Sequence, residues 1–86
     1  MLTTARRQLM LTLMEDTRTA ADLAGALDSA DPAIGLRAVA SLRVLVERLE
    51  SLHVAAARDR GWSWQEIAEL LGVTKQTVHR KHHRRV

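Results

Sequence analysis

Between Pro32 and Arg60 the apolar side chains return in alternating steps of three and four. One series runs Ala38, Leu42, Leu45, Leu49, Leu52, Ala56, and an overlapping one runs Val39, Leu42, Val46, Leu49, His53, Ala56. Together they make a stripe wider than a two-stranded seam needs. The spacing predicts one helix of about 29 residues, roughly 43 Å long at about 1.5 Å per residue. One side of it is expected to pack within the chain and the other to meet a partner chain. Its ends are punctuated. Asp31 is a natural N-cap, Pro32 suits the first helical position, and Gly61 supplies a left-handed stop. Gly35 falls in the first turn, where its cost is small.

Ahead of this helix, Leu9, Met10, Leu13 and Met14 share a helical face, and Leu2 lies two turns before Leu9 on the same side. Leu11 breaks the stripe, which leaves a short strand open as an alternative. Thr17 or Thr19 is expected to cap a second helix ending at Leu27, with Ala20, Leu23, Ala24 and Leu27 on its inner face. The stretch from Asp28 to Pro32 reads as a turn.

After Gly61 the periodicity shortens to two brief helices. Ser63 with Glu66 three residues later is a capping box, and Trp62 with Ile67 has the spacing of a hydrophobic staple. The first short helix spans Trp64 to Leu71. Gly72 permits the positive backbone angle of a tight corner, and Thr74 caps a second helix that runs to about His83. Ile67, Leu71, Val73 and Val78 are expected to face inward, and Ala68 to sit where two helices cross at roughly 90–120°. This is the geometry of a helix-turn-helix.

Charge sharpens that reading. The net charge is only +3, but it is unevenly spread: residues 1–57 hold six Arg and seven acids, residues 58–86 seven Lys/Arg and three acids. From Thr74 onward there are five Lys/Arg, three His and no acid. One pole is basic, as a polyanion-binding surface requires. The exposed face of the second short helix then carries Lys75, Gln76, His79, Arg80 and His83. Gln76 suits adenine, and Arg80 suits guanine or phosphate. Thr74, Lys75, Thr77, Arg84 and Arg85 suit phosphate, and so do the amides near Ser63 and Trp64 at the start of the first short helix.

Residues Ser63, Glu66, Ile67, Ala68, Leu71, Gly72, Val73, Thr74 and Val78 resemble the helix-turn-helix of sigma-factor region-four and related response-regulator domains. The run Gly-Trp-Ser-Trp-Gln-Glu-Ile-Ala and the Thr-Lys-Gln turn are similar to helix-turn-helix segments beside Clp-type N-terminal repeats in high-GC bacteria. The resemblance spans about residues 36–85 and implies DNA binding through Lys75, Gln76, His79 and Arg80. One position departs from the pattern. Three residues after Val78, where an apolar residue is usual, stands Lys81, so Val78 is expected to be the sole anchor of the last helix.

Composition bounds the rest. A chain of 86 residues buries roughly 60–65% of its unfolded surface. With Trp62 and Trp64 its only aromatic residues, a monomer is marginal and a homodimer is expected. The absence of cysteine removes disulfides and thiolate zinc sites. No apolar run nears the roughly 18 residues of a membrane span, and the apolar stretch Leu9–Met14 meets Glu15 and Asp16 too soon for a signal peptide. The expectation is a cytoplasmic protein with no membrane association.

His79 and His83 share a helical face, but His82 points elsewhere and no carboxylate lies close in sequence, so no metal or other cofactor is expected. His53 reads as a packed or interfacial histidine. Glu47, Glu50 and Glu69 are scattered on helix surfaces within reach of basic neighbours. No catalytic set stands out, and the expectation is not an enzyme.

The expected architecture is all-α: an N-terminal helical segment over 1–30 for packing or dimerisation, then over 31–86 a long helix with a C-terminal helix-turn-helix, in one compact domain. The expected partner is double-stranded DNA, bound sequence-specifically by a homodimeric transcriptional regulator. The competing readings are an adaptor or antitoxin-like module that holds a protein partner, and a phage-type accessory protein for recombination or packaging.

Overall fold

The computed structural model describes residues 3–83 and contains four helices: α1 (Thr4–Ala26), α2 (Pro32–Asp59), α3 (Trp64–Leu71) and α4 (Lys75–His82). The described residues contain no strand, and the fold is all-α. By its internal contacts the chain divides into two compact units, Met1–Leu49 and Glu50–Val86, so α2 contributes residues to both.

In the first unit α1 is a single helix, which closes one alternative and corrects one expectation. There is no strand near Leu11, and neither Thr17 nor Thr19 caps a second helix. Their hydroxyls instead donate to the carbonyls of Leu13 and Glu15 four residues back, at 2.8 and 3.0 Å. This back-bonding satisfies a threonine inside a helix and removes its reason to start a new one. The cap of α1 is Thr3, whose hydroxyl accepts from the Arg6 N–H at 3.2 Å. The inner face of α1 contains a charge the pattern did not mark. Asp16 is buried, with Arg48 Nε of α2 at 3.1 Å from its Oδ2. The approach is off the line of a good hydrogen bond, so the contact is chiefly one of charge.

The turn into α2 is held by local bonds. The Asp31 side chain accepts from Ala33 N–H at 2.9 Å, and Ser29 Oγ accepts from Asp31 N–H at 3.1 Å. On α2, Ala38 and Leu45 are buried and Leu42, Leu49, Leu52 and Ala56 half-buried, while Val39 and Val46 lie open. At the far end Gly61 has φ +84°, and its N–H and that of Trp62 return to the carbonyls of Arg58 and Ala57. This left-handed stop closes α2 and aims the chain into α3.

The core of the second unit is Val54, Ile67, Ala68 and Val78, with Ala57, Trp62 and Trp64 packed around it. Ala68 is fully buried, as expected where α3 crosses α4. Leu71 and Val73, expected to face inward, are instead 41% and 43% exposed. Two eight-residue helices and one end of α2 enclose a small core. The corner at Gly72 lies at its margin, so the residues on either side of it stay open. His53 is also exposed within the chain, not packed. None of the described helices is long and apolar enough to cross a membrane.

Candidate nucleic-acid interface

The orientation of α4 is set by three local devices and one distant one. The Ser63 hydroxyl accepts from Glu66 N–H at 3.1 Å, while Ser63 N–H donates to Glu66 Oε1 at 2.9 Å. The Ser63 backbone N–H, and after it the Ser63 hydroxyl, favour the charged Glu66 carboxylate and hold its pKa below the ordinary value. Gly72 turns the corner at φ +73°, and Val73 N–H reaches back to the Ala68 carbonyl at 3.1 Å. Thr74 then starts α4, its hydroxyl accepting from Thr77 N–H at 3.2 Å and lying 2.7 Å from the Thr77 hydroxyl.

The distant device is at the other end of α4. His82 is only 1% exposed. Its Nε2–H donates to Glu50 Oε2 of α2 at 2.7 Å, a carboxylate being able only to accept. Lys81 Nζ lies 3.2 Å from the same oxygen. Burial works against the Glu50 charge, but the hydrogen bonds from His82 and Lys81 and the charges behind them outweigh it and hold the carboxyl below its ordinary value. This corrects the expectation of a helix anchored only by Val78. His82, one turn beyond Val78, is the second anchor, and Glu50 is its partner, not a scattered surface acid. One signal of this was open to sequence reasoning: His82 lies four residues after Val78, on the same helical face.

With Val78 and His82 turned inward, the opposite side of α4 is open. Lys75, Gln76, His79, Arg80 and His83 are all exposed, and Thr77 is half-buried. Trp64, Gln65, Thr74, Lys75, Gln76 and His79 line an open groove between the start of α3 and the first turns of α4. Of these, Gln65 was not among the residues picked out by sequence. Ser63 is committed to its capping box at the head of α3. Arg84 and Arg85 lie outside the described residues.

Trp64 ties the groove together. The Arg58 guanidinium of α2 sits 4.6 Å from the centre of its ring and donates to the Trp62 carbonyl at 2.7 Å. The edge of Trp64 meets His79 with ring centres 5.2 Å apart. His79 in turn stacks on His83 at 5.1 Å. His83 Nδ1–H donates to the carbonyls of His79 and Arg80 at 2.9 and 3.2 Å, which assigns the proton of the neutral ring to Nδ1 and leaves Nε2 as an acceptor. Both exposed imidazoles are thus supported on one side. Among the described residues no group of three or more His, Cys, Asp or Glu is placed to hold a metal ion. His82, the nearest third donor to His79 and His83, is engaged with Glu50.

Residues 44–85 match the family model of a homeodomain-like domain. The matched segment begins inside α2 and covers α3, the corner and α4. It therefore takes in the whole helix-turn-helix and every side chain of the groove. A homeodomain-like helix-turn-helix suggests DNA binding. No curated protein and no solved structure matches the chain.

Proposed function

We propose that the chain is a sequence-specific double-stranded DNA-binding protein, a homodimeric transcriptional regulator that lays α4 in the major groove. The observation that carries this reading is the open face of α4, whose basic and amide side chains are held outward by the buried pair Val78 and His82. A helix displayed in this way fits the major groove, which is about 12 Å wide. Gln76 and Arg80 are the base readers. Gln76 is matched to adenine N6 and N7, and Arg80 to guanine O6 and N7.

The groove beside α4 suits the adjoining phosphate strand. Lys75 supplies charge. The amides of Trp64 and Gln65 in α3 and of Lys75 and Gln76 in α4, which the Ser63 and Thr74 caps leave free, supply donors. Thr74 and Thr77 flank the same strand. His83, with an acceptor at Nε2 when neutral, suits a base amino group, while a protonated ring suits phosphate. No step of this activity is chemical, and the chain acts as a binding protein, not an enzyme. The kinship with sigma-factor region-four helices belongs to the same reading.

Selection of duplexes from a random pool by mobility shift, at two salt concentrations, tests it. The expected result is a near-palindromic site with half-sites about 34 Å apart or a multiple of that, bound more weakly as salt rises. Recovery of no preferred sequence at either salt concentration contradicts it.

A further inference from the structure

In the first unit, one edge of each helix is apolar and uncovered. In α1, Met10 is 49% exposed and Met14 57%; in α2, Val39 is 39% exposed and Val46 56%. Met10, Met14, Thr17 and Ala21 follow each other in steps of four, three and four, which keeps them on one edge of α1, beside the inner face that carries Asp16. Val39 and Val46 hold the matching edge of α2, beside Ala38 and Leu45. The chain reverses in the turn at 27–31, and Arg48 of α2 pairs with Asp16 of α1. In helices that run back alongside each other in this way, matching edges lie on the same side. No charged residue falls on the α1 edge from Met10 to Ala24 or on the α2 edge from Gly35 to Leu49.

Two features of this surface describe its occupant. The first is size: the α1 edge has its large side chains, Met10 and Met14, at one end and its small ones, Thr17 and Ala21, at the other. An antiparallel copy of α1 sets Met10 beside Ala21 of the second chain and Met14 beside Thr17, so large meets small along the seam. The second is charge. Arg6 and Arg7 lie in the first turns of α1, where there is no acid; Asp22 lies in its second half and Asp28 in the turn just beyond its end, and the last turn has no base. This is the reverse of what the helix dipole favours. An antiparallel neighbour corrects both ends at once, because the acidic end of one α1 then lies beside the basic end of the other.

We infer that a second copy of this chain packs its α1 antiparallel on the edge formed by Met10, Met14, Thr17 and Ala21, with Val39 and Val46 at the rim, to give a four-helix dimer. The inference rests on the homodimer of the proposed function and assigns its surface.

Sedimentation of the full chain without DNA tests it. The wild-type chain is expected to be a dimer. Met14→Glu is expected to weaken association by at least about 100-fold, since it places a charge in an apolar seam, with helicity by circular dichroism unchanged because the position is open in the monomer. The chain has no cysteine, so a Met10→Cys/Ala21→Cys variant reads the direction of packing. The two positions are about 16 Å apart along one helix, too far for an internal bridge. The double variant is expected to give a disulfide-linked dimer on oxidation, while neither single variant does. A monomeric wild-type chain overturns both the homodimer and this surface. A dimer indifferent to Met14→Glu, or single variants that cross-link as readily as the double one, overturns the surface alone. Neither result bears on whether α4 binds DNA.

Discussion

Removing the His82 imidazole opens a cavity beneath α4 and leaves Glu50 with Lys81 as its charged neighbour. His82→Ala is expected to cost about 2–3 kcal/mol of stability, from the lost packing and the lost hydrogen bond together; urea unfolding measures it. The Glu50 contact has a sign that pH can check. The folded-state pKa of Glu50 is depressed, so its contribution is complete above the ordinary glutamate range, about 4.3, and is lost as pH falls through the lower folded value. The stability gap between wild type and Glu50→Gln is therefore expected to be widest near neutral pH and to close towards pH 3. A gap that is constant over that range means that the ion pair does not stabilise the fold. The inward face of His82 was open to sequence reading, but its pairing with Glu50 was not, because 32 residues separate them and no local pattern records a pairing over that distance. The burial of Asp16 against Arg48 was missed for the same reason.

The elements themselves were legible where their signals are short-range. Ser63 with Glu66, Gly72, Thr74, Asp31 and Gly61 each act over five residues or fewer, and each was placed correctly by sequence. Thr17 and Thr19 misled because a threonine that caps a helix and one that bonds back within a helix look alike in sequence. Leu71 and Val73 misled because apolar character does not report how far a small core reaches. At this scale the corner can be tested directly. Nothing lies within 4 Å of a Cβ added at Gly72, so Gly72→Ala is expected to cost about 1–2 kcal/mol from backbone conformation alone. Ser63→Ala is expected to cost about 1 kcal/mol through the lost cap. Ala68→Leu has no room at the crossing, and it is expected to splay α3 from α4 and abolish DNA binding without touching DNA. Normal binding by the Ala68→Leu variant shows that the two helices do not cross where Ala68 is buried.

For the whole molecule, the division of charge was plain in the sequence: a nearly neutral first part and a basic second part. That division makes salt a sensitive probe. Lys75→Ala is expected to weaken binding evenly across DNA sequences and to reduce the salt slope by about 1. Arg80→Ala is expected to cost about 1–3 kcal/mol at one base position only, and an even loss over all sequences reassigns Arg80 to phosphate. The most direct test of the central claim, that the open face of α4 meets DNA, is a titration of the labelled chain with its selected duplex, followed by amide chemical shifts. The largest shifts are expected at Lys75, Gln76, His79 and Arg80 and at the start of α3, with α1 little changed. Shifts confined to α1, with α4 silent, contradict the claim.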